Sequence, residues 1–173
     1  IFAAMLRVDF SDLERRQTVE VEGRIEPDEQ SFTDCSFVLS RPFEFVLTAS
    51  WVGSDQVVVR GTCRGGVRQD CRRCLQPVER LVDTDITLVF VLDDSLEDGD
   101  GDTISIDSGA REIDLGPHLR DEVIFTIPSF VECRADCKGL CAGCGEDLNS
   151  AECTCSLRGM DPRWDALRAL QNK

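Results

Sequence analysis

Eight of the ten cysteines fall into close pairs, and each pair has the spacing of metal ligands. Cys71-Arg-Arg-Cys74 is the first. Cys133 and Cys137 form the second, Cys141-Ala-Gly-Cys144 the third, and Cys153-Thr-Cys155 closes the series. Eight thiolates make two complete four-sulfur sites, the ligand number of a structural zinc ion, so the spacing predicts about two zinc ions per chain. Gly139, Gly143 and Gly145 lie among these thiols and let the backbone turn tightly around an ion.

An even number of cysteines also permits a disulfide framework. Two features oppose it. No apolar signal-peptide core precedes a cleavage site, and thiols two or three residues apart pair poorly under disulfide geometry. Redox or iron–sulfur use of the thiols is a third reading, and a thioredoxin-like role for Cys71 and Cys74 requires a strand-to-helix context. Here the pair stands between two β runs with Pro77 close behind. Cys35 and Cys63 lie outside the scheme in β-prone sequence and read as small core residues.

At 173 residues, 42% of them apolar, the chain has enough material for a genuine core. No apolar run reaches the length of a membrane span, and the thiol-rich composition suits a reducing cytoplasm. Met5 reads as the natural start, with Ile1–Ala4 excluded from the fold. The formal net charge of −14 opposes broad, non-specific nucleic-acid binding. Arg60, Arg64, Arg68, Arg72, Arg73 and Arg80 nevertheless cluster around the first cysteine pair. Arg64, Arg68, Arg72 and Arg73 are the candidates for contact with phosphate or a partner. The competing reading is a solvated strand face whose arginines pair with acids, or offset the charge of a four-thiolate zinc site.

Periodicity predicts a β-rich chain. A short helical turn over Asp12–Gln17 precedes a half-buried strand at Thr18–Ile25, with Val19, Val21 and Ile25 on one side. Phe32–Leu39 and Phe43–Val52 continue the β signal. Gly53-Ser54-Asp55 marks a turn, and Gln56–Arg68 returns, with Gly65-Gly66 suggesting a bulge. Val78–Leu92 is a long strand whose second half is apolar on both faces, which predicts a central position. Asp93–Asp102 reads as a solvated acidic loop. Its Asp98, Asp100 and Asp102 resemble the start of a calcium loop, but the following glycine and the closing glutamate are missing.

Thr103–Ile106 reads as a short strand, and Asp114 as the cap of a helix over 115–126. Leu115, Leu119 and Val123, with Ile124 and Phe125 beside them, form its packing face. His118, the sole histidine, has no second histidine to work with and reads as a rim residue. Asp161-Pro162 opens a final helix carrying Trp164, Leu167 and Leu170. The expected fold class is α+β: an antiparallel bent sheet or partial β-barrel with a packing helix and a C-terminal zinc-binding module. The expected division is a β-rich domain at 5–132 and a cysteine-rich module with the C-terminal helix at 133–173, packed on the first.

Proximity in sequence groups Cys141 and Cys144 with Cys153 and Cys155. That leaves Cys71 and Cys74 to meet Cys133 and Cys137 across a long stretch of chain, which would tie the hairpin to the tail. A rival partition places Cys137, Cys141 and Cys144 in one site, and spacing alone does not exclude it. Four thiolates leave no coordination position for water, which favours structure over hydrolysis.

Several short motifs resemble one family. They are Cys71-Arg-Arg-Cys74-Leu-Gln-Pro77, Ile113-Asp114-Leu115-Gly116 and Ile127-Pro128. The run from Cys137-Lys-Gly-Leu-Cys141 through Cys144-Gly-Glu-Asp-Leu-Asn149 follows, then Cys153-Thr-Cys155 and Asp161-Pro162-Arg163-Trp164. Together they resemble the YceD family of large ribosomal RNA subunit accumulation proteins, over about Val57–Leu170. The resemblance implies a non-enzymatic cytoplasmic factor needed for normal accumulation of large-subunit ribosomal RNA. In bacteria the family's genes commonly neighbour a large-subunit ribosomal protein gene.

Three functions compete. The first is a ribosome-biogenesis factor whose Arg60–Arg80 face meets a pre-ribosomal particle or large-subunit ribosomal RNA. The second is a zinc-stabilised adaptor that binds only protein, such as a basic ribosomal protein drawn to the acidic surface. The third, an enzyme, lacks a nucleophile-base pair, a phosphate loop and an open metal position in the sequence. No membrane partner or small-molecule substrate is expected.

Overall fold

Alternation of apolar and polar residues is the force that organises most of the described chain. The computed structural model describes residues 6–27, 32–92 and 103–155. The acidic loop at 93–102 and the expected C-terminal helix from Asp161 lie outside them. The chain divides into two units, one of residues 1–69 and 79–129, the other of residues 70–78 and 130–173.

The first unit is built from strands β1 (Arg7–Asp9), β2 (Thr18–Ile25), β3 (Val38–Val52), β4 (Gln56–Asp70), β5 (Pro77–Leu92), β6 (Ile104–Ile106) and β7 (Glu112–Asp114), less Asp70, Pro77 and Val78, which fall in the second. Helices α1 (Phe10–Arg16) and α2 (Gly116–Thr126) complete it. The turn between β4 and β5 belongs to the second unit. Five strands form one open sheet in the order β2-β3-β4-β5-β6, and β1 pairs with β7 in a small ribbon. Among the described residues the structure is therefore mostly sheet, with two helices and no barrel closure.

β2, β3 and β4 pair antiparallel. β6 departs from the expected antiparallel pattern: it runs parallel to β5, pairing Phe90, Val91 and Leu92 with Ile104, Ser105 and Ile106. The expectation of a central β5 is met only there. Over the rest of its length β5 has β4 as its one named neighbour among the described residues. The exposure of Leu81, at 71%, fits that position.

The Gly65-Gly66 signal marks an irregularity, but the extra residues lie on the facing strand. Two successive register shifts occur in β3, between Leu39 and Arg41 and between Arg41 and Glu44. Each shift reverses which face a residue meets. The pair therefore leaves Leu39 and Phe43 buried with Arg41 exposed between them. Pro42 within this stretch is compatible with such a bulge. Phe43 is fully buried against Gly65, where an added Cβ would stand 2.5 Å from the ring.

Phe32–Phe37, read as strand from its β-prone residues, forms turns instead. Both phenylalanines are buried with ring centroids 5.9 Å apart, an arrangement that packing favours over strand pairing. Asp9 caps α1, its carboxylate accepting from the backbone N–H groups of Ser11 and Asp12. Asp114 accepts from Gly116 N at 3.0 Å, but the cap position of α2 is Leu115.

Leu115, Leu119 and Val123 of the helical stripe are buried in the core with Ile86, Leu88 and Phe90 of β5. Phe125 is not part of that face; at 83% exposure it turns to solvent. His118 meets Phe90 edge to face at 5.3 Å. Cys63 is fully buried, and desolvation pushes its thiol up to about 12. Cys35 is half-buried against the same core. Each large side chain of this core contributes about 1.5–3 kcal/mol by burial, so packing outweighs the intrinsic stability of two short helices.

Candidate metal centres

The second unit brings the eight paired thiols into two groups of four. Cys71, Cys74, Cys133 and Cys137 form one, and Cys141, Cys144, Cys153 and Cys155 the other. Within each group all sulfur atoms lie within 4.8 Å of one another. The alternative grouping of Cys137 with Cys141 and Cys144 is not adopted.

The turns explain this gathering. After Cys71-Arg72-Arg73-Cys74 the chain reverses, with Leu75 N donating to Cys71 O and Cys71 N to Gln76 O. After Cys141-Ala142-Gly143-Cys144 the same two bonds recur, from Gly145 N to Cys141 O and from Cys141 N to Glu146 O. Each knuckle thus presents two thiols from one tight turn. Cys133–Cys137 completes the first group through another turn, Cys137 N donating to Arg134 O. Gly139, with φ +74°, then brings Leu140 N to Arg73 O at 3.0 Å. A Cβ at Gly139 would lie 2.9 Å from that carbonyl oxygen, so glycine is needed for the approach.

Tetrahedral coordination by four thiolates at about 2.3 Å sets sulfur atoms about 3.8 Å apart. Cys71 and Cys137 are 3.9 Å apart, and Cys74 and Cys133 3.6 Å. In the second group Cys144 and Cys153 are 3.4 Å apart, and Cys153 and Cys141 3.3 Å. The first group is close to metal-ready geometry, and the second needs only a slight expansion. Backbone N–H groups also point at sulfur, from Cys133 to Cys71, Gly143 to Cys141 and Cys155 to Cys153, each at 3.3 Å. Such donors favour thiolate. The N–H of Cys74 leads those that hold the Cys71 thiol down to about 6, and that of Cys144 those that do so at Cys141. Desolvation and neighbouring thiols instead push Cys133 up to about 12, and at Cys153 the Cys155 N–H is outweighed by the neighbouring thiols, which push it up to about 12. The residues fit a metal held by sulfur alone.

The centres differ in burial. Cys71, Cys74 and Cys137 are buried and pack with Val78 and Leu140. Cys144 and Cys155 are exposed, and Cys141 and Cys153 half-buried.

Residues 59–171, which contain both groups, match the family described as large ribosomal RNA subunit accumulation protein YceD. The chain belongs to the YceD family. An uncharacterized protein of Mycobacterium tuberculosis is 36% identical over 115 residues, 66% of this chain and 55% of its own length. The proteins named large ribosomal RNA subunit accumulation protein YCED homolog 1, chloroplastic, are 35% identical over 65 residues in Zea mays and over 63 in Arabidopsis thaliana. These alignments cover 35% and 36% of this chain and 22% and 20% of the plant proteins. The chain spans about half the length of the mycobacterial relatives it matches. No solved structure matches.

Within this YceD chain the four candidate arginines have different surroundings. Arg64 pairs with Asp83 at 3.2 Å in the first unit. In the second, Arg72 and Arg73 share Glu132, at 2.5 and 3.1 Å, and Arg73 also donates to Cys137 O. The Arg72 guanidinium leads in holding the Glu132 carboxyl below its ordinary value. Arg68 makes no ion pair among the described residues.

Sequence reasoning assigned no role to Glu132 or Asn149. The Asn149 side chain makes four hydrogen bonds. Its Oδ1 accepts from Lys138 N and Arg134 Nη2, and its Nδ2 donates to Cys137 Sγ and Asp147 Oδ1. The only sequence signal was the position of Asn149 within the cysteine-rich motif.

Proposed function

We propose that this protein is a non-enzymatic zinc-binding factor that supports accumulation of large-subunit ribosomal RNA. Two four-sulfur groups inside a chain of the YceD family carry the reading. Sulfur-only donors suit zinc in a structural role, with every coordination position taken by protein. The family description and the names of the plant relatives supply the ribosomal process. No helix among the described residues is long and apolar enough to cross a membrane. A ribosomal role of this kind is exercised in the cytoplasm.

A second reading concerns what is touched. Arg64, Arg72 and Arg73 are already paired with carboxylates, and the net charge is −14. Both features favour a basic protein partner over direct contact with RNA phosphate. Arg60 and Arg68, exposed on β4 and without ion pairs among the described residues, are the clean probes. Reversing both to Glu should leave folding nearly unchanged, since exposed charges contribute little. Co-sedimentation with pre-ribosomal particles then decides. Its loss supports phosphate contact, whereas retained or stronger binding supports a basic protein. Absence of association in the parent protein would contradict the ribosomal reading.

A further inference from the structure

Residues 146–149 contact both metal groups: Glu146 O accepts from Cys141 N of the exposed group, and the Asn149 side chain reaches Cys137 of the buried one. Asn149 lies in the Asp147–Ser150 turn, downstream of the knuckle that supplies Cys141 and Cys144 to the exposed group. Its Nδ2 reaches back to Cys137 of the buried group at 3.5 Å. The amide orientation is set by its neighbours. Lys138 N and the Arg134 guanidinium can only donate, so they must face Oδ1. Nδ2 therefore faces the Cys137 sulfur and the Asp147 carboxylate.

The turn is held to the buried group at further points. Leu148 N donates to Gly139 O at 2.9 Å, and Leu140 and Asp147 form a β-bridge. On the other side, Cys141 N donates to Glu146 O, immediately before that turn. Order imposed on the exposed group thus passes through residues 146–149 to the donor on Cys137. An N–H···S bond stabilises a thiolate ligand and fixes its direction.

We propose that metal in the exposed centre strengthens metal retention in the buried centre, with Asn149 as the positioning residue that carries the coupling. This rests on the proposed metal-binding reading. Loss of metal from the exposed centre and loss of the Asn149 donor would act along one path, so their effects on the buried centre must not multiply when combined.

The test is zinc release from the full chain to a chromophoric chelator, with zinc content measured beforehand. The parent should release one fast and one slow equivalent. Cys144→Ser, which removes a ligand of the exposed centre, should speed the slow phase by about 10–100-fold, the scale of losing a ligand's hydrogen-bond partner. Asn149→Asp keeps the shape but sets carboxylate oxygen against sulfur and Asp147, while Asn149→Ala removes the donor without adding charge. Both should speed the slow phase similarly, and each combined with Cys144→Ser should do no more than either alone. With cobalt in place of zinc, Asn149→Ala should also shift the sulfur-to-metal charge-transfer band of the buried centre, which general loosening would not do. An unchanged slow phase in Cys144→Ser or Asn149→Ala, or effects that multiply, would overturn the coupling. A parent protein that binds no metal would remove the proposed function as well. Two bound ions with independent release would remove the coupling alone.

Discussion

Leu75 and Gly145 occupy the same place in two copies of one turn. Each follows the second cysteine of a knuckle, each has left-handed backbone geometry with φ of 59° and 78°, and each donates its N–H to the first cysteine's carbonyl. Glycine reaches this region freely, whereas a side chain adds strain of about 1–3 kcal/mol. Leu75 is also 61% exposed, so little packing offsets that strain. Leu75→Gly is expected to hold metal as well as the parent and to change the melting temperature little. Gly145→Val should lower stability by about 1–3 kcal/mol. No neighbour lies within 4 Å of the added Cβ, so the loss would come from backbone strain. Equal tolerance of both changes in melting curves would contradict the strain assigned to a side chain at this place in the turn.

A second prediction concerns Phe43 and Gly65. Gly65→Ala forces a methyl group against a fully buried ring and should cost about 1–3 kcal/mol. Combining it with Phe43→Leu should recover part of that loss, because the two sites share one space. Urea denaturation of the four proteins would measure the coupling, and simple additivity would count against the close approach.

The cysteines outside the centres should behave differently from the ligands. Cys63→Ser places a hydroxyl in the core beside Phe45 and should cost about 1–3 kcal/mol without loss of zinc. Cys74→Ser or Cys137→Ser should remove one equivalent of zinc and destabilise the unit that holds both centres. Cys144→Ser should remove one equivalent with a smaller loss of stability, since its centre is exposed. Elemental analysis with thermal melting separates these cases. Loss of zinc in Cys63→Ser would show that the grouping is wrong.

Asp9 gives a pH-dependent prediction. The Ser11 hydroxyl and N–H lead in holding its carboxyl below the ordinary value. A folded-state value below the unfolded one stabilises the protein above the unfolded range and loses that contribution as pH falls through the folded value. Asp9→Ala should therefore lower the melting temperature at neutral pH and have no such effect once the parent carboxylate is protonated. An effect that persists in acid would assign the loss to packing instead.

Local pattern carried much of this structure. Thr18–Ile25 is a strand with the bounds its alternation predicts, and the cysteine pairs gather in the groups that nearness in sequence suggests. Features that depend on distant partners were not legible. β1 and β7 have three residues each, too few for a period, and meet from opposite ends of the unit. The parallel docking of β6 and the bulges in β3 are set by pairing, which periodicity within one strand does not contain. Glu132 beside Arg72 and Asn149 beside Cys137 become neighbours only after the chain has folded. Phe125 shows the opposite failure: its apolar character suggested burial, but helical phase turns it away from Leu119 and Val123.

Zinc content tests the central claim most directly. Protein purified without chelator and kept reduced should contain about two zinc ions per chain, one for each four-sulfur group. Native mass spectrometry should show the same stoichiometry, with both ions lost and all ten thiols, the eight ligands among them, titratable after acid denaturation. A chain free of metal, or one whose paired cysteines are recovered as disulfides under those conditions, would contradict the account.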